Sequence, residues 1–367
     1  MGKMKRRTKT VIIVVALLLC AALVIGGFIM IYGKYQMNKI PGLTFTEALA
    51  YTTKDNPNAV ITVGIIKDGQ LSYKVYGENG QELPAELHTY EIGSLTKTFT
   101  AALINKAIIE GKINLDDTID RYLPLPKENK YPTIKGLLTH TSGYKGIYFE
   151  GPMVSNFFKR RNDFYGIPKA MVLDKASSLR MNKERYGFSY SNYGYAVLGL
   201  VLESVYDTDY TVLVNDFAQN DLGLKDTKIS NKSGDLDHYW DWKENDAYMS
   251  AGAMTSNISD MLSYAQMQIE SNPYFAECHK SQIAIHASNS NYKTMGIHMD
   301  EIGMSWLIDN ENGIIWHNGG TGHYNSYLGF HPATGTAVVI LSNLAPGYRI
   351  PATVLGIKLL VGIEANG

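Results

Sequence analysis

The sequence predicts an α+β domain, an antiparallel sheet flanked by helices with an all-helical region, preceded by one N-terminal transmembrane helix. Three observations predict it. β-Branched hairpin patterns stand near both ends of the chain, helical patterns fill the interval between them, and residues 11–32 form an uncharged apolar run behind a basic cluster.

Taken in order, the chain opens with Lys3, Lys5, Arg6, Arg7 and Lys9 inside residues 1–10, a basic tail. Residues 11–32, VIIVVALLLCAALVIGGFIMIY, exceed the roughly 20 apolar residues that a bilayer requires. The positive-inside rule puts the tail in the cytoplasm and everything after Lys34 outside, a single-pass protein of the cell membrane with an extracytoplasmic domain. A cleaved signal peptide would have an apolar core of about 7–15 residues and a small-x-small cleavage site, neither of which is present. A lipoprotein would be processed at Cys20, but Leu19 before it is a poor match to the small residue such processing uses. An uncleaved anchor is therefore expected, followed by a tether over 33–43 that ends at Pro41-Gly42 and a domain over 44–367.

The domain begins with two β-branched runs around Asp68-Gly69, a hairpin pattern. Helical patterns follow after Ser94, over 193–206 and over 258–270, with IKGLLTHTSG and an irregular, aromatic-rich stretch at 144–187 between them. MSWLID, IIWHNGG, YNSYLGFHP and TAVVILSN, separated by turns, form the closing strands, and 348–363 reads as a final helix with Pro351 near its start. With 45% hydrophobic residues the chain can build a large core without disulfides: Cys20 lies in the apolar run and Cys278 is alone in the domain. Beyond the tail the balance is 29 Lys and Arg against 35 Asp and Glu, which offers no basic surface for nucleic acid.

Ser94 and Lys97 stand at the head of the stretch 91–112, EIGSLTKTFTAALINKAIIEGK, where a short polar turn runs into an apolar helix. Three-residue spacing puts both on one helix face, where an amine can take the proton of a hydroxyl nucleophile. The same spacing occurs at Ser142 and Lys145, between glycines where the side chains need not converge. Tyr190 and Asn192 directly precede a helix, and His317 lies on a strand that loses its side chains at Gly319 and Gly320, where a substrate backbone can approach.

Ser94-Leu95-Thr96-Lys97, Tyr190-Ser191-Asn192 and His317-Asn318-Gly319, in that order, resemble the S-x-x-K, Y-x-N and H/K-x-G triplet of penicillin-recognising serine hydrolases. The resemblance is to the branch of class C β-lactamases, D-Ala-D-Ala carboxypeptidases, D-aminopeptidases and related esterases. LLTHTSG at 137–143, NDLGLKDT at 220–227 and AGAMTS at 251–256 are also similar to segments of that branch. The resemblance implies a β-lactamase/transpeptidase-like fold and no cofactor. It implies catalytic roles for Ser94 as nucleophile and for Lys97 and Tyr190 as shared proton handlers, and substrate-binding roles for Asn192, His317, Gly319 and Gly320. The oxyanion would be held by the N–H groups of Ser94 and Gly320, and Asn192 would orient substrate amides and Lys97. Lys and Tyr both titrate near 10, so desolvation must lower one of them to make a base. His317 replaces the Lys usual in β-lactamases, and a group titrating near 6.5 implies activity changing around pH 6–7.

The expected function is a membrane-anchored serine hydrolase acting through a Ser94 acyl-enzyme on D-alanyl esters or peptides of the cell envelope, with β-lactams as acylating ligands. The alternatives are a penicillin-binding sensor that acylates without efficient turnover, a β-lactamase, and a non-catalytic envelope-binding module. His140 reads as a buried hydrogen-bonding residue, Cys278 as an inert thiol, and His323 as a residue near the cleft. His298, Asp300 and Glu301 lack the evident ligand set of a tetrahedral metal site.

Overall fold

The computed structural model describes residues 39–182, 186–231, 234–270 and 272–365. The chain divides into two units, up to Thr44 and from Phe45 onward. The described part of the first includes the 3-10 turn Ile40–Gly42. The basic cluster and the apolar run 11–32 lie outside the described residues, and no helix among the described residues is long and apolar enough to cross a membrane.

In the second unit a nine-stranded sheet carries β1 (Ile61–Lys67), β2 (Gln70–Tyr76) and β3 (Glu82–Leu83) on one side. A smaller sheet holds β4 (Tyr90–Glu91), β5 (Lys228–Ile229) and β6 (Met254–Ser256) in the order β4-β6-β5. The large sheet is completed by β7 (Ile283–Ala284), β8 (Glu301–Ile302), β9 (Leu307–Asp309), β10 (Ile314–Gly320), β11 (Asn325–His331) and β12 (Thr336–Ser342). Its order is β3-β2-β1-β12-β11-β10-β9-β8-β7. The first and last long strands meet as expected: β1 pairs antiparallel with β12, from Ile61 opposite Ser342 to Ile66 opposite Ala337. That closure seats the two ends of the domain in one sheet.

The helices are α1 (Phe45–Thr53), α2 (Thr96–Ile109), α3 (Ile134–Leu138), α4 (Gly151–Phe158), α5 (Lys169–Ser178), α6 (Asn192–Tyr206), α7 (Tyr210–Asp216), α8 (Met249–Gly252), α9 (Ile258–Ile269), α10 (Ser290–Thr294) and α11 (Ala352–Ala365). Those from α3 to α8 make the helical region. α2 runs through the core, buried from Thr96 to Asn105. Its Phe99 stacks on Tyr264 of α9 with ring centroids 4.1 Å apart, and truncating so enclosed a ring costs about 3–5 kcal/mol.

Two local expectations need correction. The final helix starts at Ala352 and not at 348, because Pro351, having no N–H to donate and a fixed φ, sits at the helix boundary. The stretch 144–187 holds α4 and α5 where irregular chain was expected. α4 is too short to be stable by propensity. It is held by burial of Met153 and Asn156, whose Nδ2 donates to the carbonyls of Asp163 at 3.1 Å and Tyr165 at 2.8 Å.

Candidate active site

Ser94 lies in the 3-10 turn Gly93–Leu95 between β4 and α2. Gly93 adopts φ +51°, and a Cβ there would stand 2.5 Å from the backbone nitrogen of Gly320. A Cβ on Gly319 would meet the Ile92 carbonyl oxygen at 1.9 Å. Both positions therefore require glycine, and their absence of side chains lets the nucleophile turn lie directly on the end of β10. Ser326 of β11 fastens the contact by donating Oγ–H to the Ile92 carbonyl at 2.7 Å. The backbone of Gly320 therefore lies against the turn that carries Ser94.

Lys97 Nζ lies 3.0 Å from Ser94 Oγ and 2.6 Å from the carbonyl oxygen of Ala251, the first residue of the AGAMTS segment. The side chain is wholly buried, and desolvation drives its pKa well below that of a free lysine. No ion pair reaches it among the described residues. An amine held neutral at this distance from Ser94 Oγ has the chemistry of a base for that hydroxyl.

Tyr190 moves the other way. Its hydroxyl is hydrogen-bonded with Ser94, but desolvation outweighs that bond and raises its pKa. Tyr190 keeps 39% of its surface accessible, so the shift describes the dry surroundings of the hydroxyl and not of the whole ring. A phenol that stays protonated at neutral pH is a proton donor rather than a base. The two shared roles are thus separated by environment, and Lys97 Nζ sits 4.9 Å from the Tyr190 ring centroid.

His140 holds Tyr190 in place, in agreement with its reading as a buried hydrogen-bonding residue. Held at φ +56°, where residues other than glycine are uncommon, it packs its ring 4.4 Å from that of Tyr190. Its Nδ1 accepts from Ser191 N–H at 3.1 Å, and its carbonyl accepts from Ser189 N–H at 2.8 Å. The flanks of Tyr190 are fixed from one residue.

His317, on β10, is buried, and its ring lies 6.5 Å from that of Tyr190. Its Nδ1–H donates to the Asn318 carbonyl at 2.7 Å. Desolvation and the neighbouring Lys97 push its pKa down to about 3, against the opposing Asn318 hydrogen bond. The expected titration near pH 6–7 is therefore corrected: His317 is a neutral imidazole throughout the physiological range. Asn318 turns away, donating Nδ2–H to Thr353 of α11 at 2.9 Å.

Asn192 opens α6 half-buried, yet the described hydrogen bonds of Lys97 go to Ser94 and Ala251 and not to Asn192. Among the described hydrogen bonds it is the Ala251 carbonyl of α8 that orients the Lys97 amine. The second Ser/Lys pair does not converge, since Ser142 is buried, accepting from Tyr144 N–H at 3.2 Å, while Lys145 is exposed. His323 is exposed on the turn after β10 and stacks on His238 at 4.8 Å. Cys278 is buried and its thiol pKa is raised by desolvation, which keeps it inert. His298 lies 3.3 Å from Glu311, and Asp300 and Glu301 accept hydrogen bonds from Asn310, so the three are engaged separately.

Glu91, three residues before Ser94, was not legible as functional. It is almost fully buried on β4, accepting Trp240 N–H on one oxygen and the Thr321 hydroxyl on the other. Thr321 directly follows Gly320, so Glu91 ties the oxyanion strand to the segment that carries the nucleophile. Burial raises its pKa to about 7, the Thr321 and Trp240 hydrogen bonds opposing the shift. The available signal was an acid between apolar Tyr90 and Ile92 in a strand.

Beside Tyr190 and His317 opens a cavity of about 390 Å³, walled by Phe188, Leu307, Trp316 and Thr353 among others. Among the described residues its lining contains no Asp, Glu, Lys or Arg.

A model of the family described as Beta-lactamase matches residues 46–357. Protein flp of Staphylococcus aureus strain MW2 is 27% identical over 311 residues, covering 77% of this chain and 59% of that protein. The chain thus spans about three-fifths of the length of the flp relatives it matches. Among solved structures, the octameric penicillin-binding protein homologue from Pyrococcus abyssi superposes with a TM-score of 0.69 at 21% identity, over 87% of this chain and 75% of that one. The β-lactamase/D-alanine carboxypeptidase from Yersinia pestis gives a TM-score of 0.66 at 18% identity, over 90% and 99%. At these identities the structures speak for a shared fold.

Proposed function

The chain belongs to the beta-lactamase family of serine hydrolases, and from that premise we propose that it is a membrane-anchored, extracytoplasmic hydrolase of D-alanyl esters in the cell envelope. The observation that carries the chemistry is the contact of 3.0 Å between Ser94 Oγ and a wholly buried, deprotonatable Lys97. Lys97 takes the Ser94 proton as Oγ bonds to the ester carbonyl carbon. The developing oxyanion lies at the N–H groups of Ser94 and Gly320. As the carbon–oxygen bond to the alcohol breaks, Tyr190 gives its proton to the leaving oxygen and regains one from the Lys97 ammonium. Water then repeats the sequence on the acyl-enzyme, with Lys97 again as base, and releases the acid.

Substrate choice rests on His317. A D-Ala-D-Ala peptide or a β-lactam presents a carboxylate that a cation in this position would pair with, whereas the neutral imidazole of His317 gives it no counter-charge, and none stands among the described residues that line the cavity. A D-alanyl ester has no carboxylate to satisfy, which favours it over both. The anchor is the apolar run 11–32, and the basic residues before it orient the domain outward.

The full chain in detergent, treated with a fluorophosphonate and a fluorescent penicillin, should be labelled on Ser94 and should hydrolyse a D-alanyl ester faster than a D-Ala-D-Ala peptide or nitrocefin. No adduct on Ser94 with either probe would overturn the mechanism. Adducts lasting hours with every ester would assign a penicillin-binding sensor instead.

A further inference from the structure

Between Ile147 and Phe158 the domain exposes side chains that a monomer ordinarily covers. Phe149, Phe157 and Phe158 are 76%, 73% and 79% accessible, and Ile147 and Val154 are 48% and 44%. Scattered apolar residues on a surface need no explanation, but a contiguous group does. The group is not loosely packed core, because the opposite face of α4 is fixed by Met153 and by the two hydrogen bonds of Asn156. Phe157 and Phe158 hold each other edge to face at 5.7 Å.

Cations rim this surface. Lys145, Lys159 and Arg160 are exposed beside it, and Arg161 is paired with Asp241 at 2.9 Å. Of the nearby acids, Glu150 is buried, with its pKa raised by desolvation, and Asp163 is exposed. Paired exposed rings at the end of α4, a third exposed ring at Phe149 just before it, and exposed Lys159 and Arg160 directly after it match the chemistry of an element lying in a membrane interface.

We propose that α4 and the segment before it form a docking surface for a lipid bilayer with anionic headgroups. The proposal rests on the reading of residues 11–32 as an anchor. A tether of 33–43 can span no more than about 40 Å when fully extended, which makes the bilayer the apolar, charged partner always within reach. The surface is also joined to the catalytic segment: the Lys145 carbonyl accepts from Ser191 Oγ–H at 2.7 Å, and the Gly146 carbonyl accepts from Tyr193 N–H at 3.1 Å. Docking here holds the Tyr190 side of the site at the headgroup level and suits it to esters on membrane-attached polymers rather than on distant wall.

The test uses the full chain carrying Cys20→Ser, with an environment-sensitive fluorophore on Phe157→Cys or, as a control, on Val212→Cys of α7, which is 58% accessible. Cys278 is buried and stays unlabelled. Ser94 labelling by fluorophosphonate confirms that each variant is folded. In vesicles containing phosphatidylglycerol, a shallow spin-labelled lipid should quench the probe at 157 at least threefold more than at 212. Lys159→Glu with Arg160→Glu, or vesicles of phosphatidylcholine alone, should at least halve that difference. Equal quenching at 157 and 212 while the protein floats with the vesicles overturns the proposal and leaves the anchor standing. Failure to float overturns the anchor reading, and the docking surface is then judged by whether 157 is quenched on added vesicles. Quenching at 157 that ignores headgroup charge overturns the anionic requirement. A probe at 157 shielded by a co-purifying protein, and not by lipid, overturns the bilayer as the partner.

Discussion

Replacing Glu91 by glutamine isolates a buried charge that no ion pair among the described residues offsets. In the folded protein its pKa stands at about 7 against an ordinary 4.5, because burial disfavours the carboxylate. The shift of roughly 2.5 pH units corresponds to about 3 kcal/mol at about 1.4 kcal/mol per unit. The folded state holds the proton more tightly than the unfolded state, so between pH 4.5 and 7 unfolding releases it. The stability that Glu91 contributes is accordingly full below pH 4.5 and is lost as pH rises through 7. The amide introduced by Glu91→Gln would keep an acceptor for Trp240 N–H and offer a donor to Thr321, without the charge. Differential scanning calorimetry of the full chain in detergent should therefore show the wild type losing about 4 °C relative to Glu91→Gln between pH 5 and 8, for a domain of roughly 320 residues. The catalytic readout separates positioning from mere stability. Glu91→Gln should retain kcat within about threefold, while Glu91→Ala, which leaves Thr321 unheld beside Gly320, should lose about tenfold in kcat with little change in KM. Parallel melting curves for wild type and Glu91→Gln across this pH range would refute the reasoning.

Four further outcomes follow from the site. Lys97→Met should remove the base and lower the acylation rate by about 10³-fold or more, measured by stopped-flow labelling of Ser94; in the wild type kcat/KM should rise with pH as Lys97 loses its proton. Tyr190→Phe should lower ester turnover by about 10²–10⁴-fold and be least harmful for esters of acidic alcohols, whose leaving groups need no proton; a uniform loss across leaving groups would contradict its role as donor. His317→Gln should leave the shape of the pH–rate profile between 5 and 8 unchanged, since His317 titrates at about 3; a shape that flattens on substitution would show that it titrates in that range. Gly319→Ala should abolish Ser94 labelling even where circular dichroism shows folded protein, because the new methyl meets the Ile92 carbonyl oxygen at 1.9 Å.

The residues that carry chemistry were legible because reactive groups at a helix start, and glycines where backbone must approach backbone, leave a linear trace. Ser94, Lys97, Tyr190 and the Gly319-Gly320 pair could be named from spacing and motif order, and the meeting of β1 with β12 followed from strand patterns at both ends of the domain. The AGAMTS segment stood out in the sequence without a role; only the fold brings the Ala251 carbonyl, 154 residues from Lys97, to its amine. Titration is where linear reading failed. A histidine at 317 has an ordinary pKa in sequence, and three-dimensional burial beside Lys97 removes its charge. The assignment of Lys97 as base and Tyr190 as acid follows for the same reason: desolvation disfavours whichever form is charged, so it lowers an amine and raises a phenol. Sequence by itself determined which groups are present and that they belong to one hydrolase domain. Tertiary structure decided their protonation, the carbonyl that orients the base, and the grip of Glu91 on the oxyanion strand, because each depends on how much water long-range packing leaves around a polar atom.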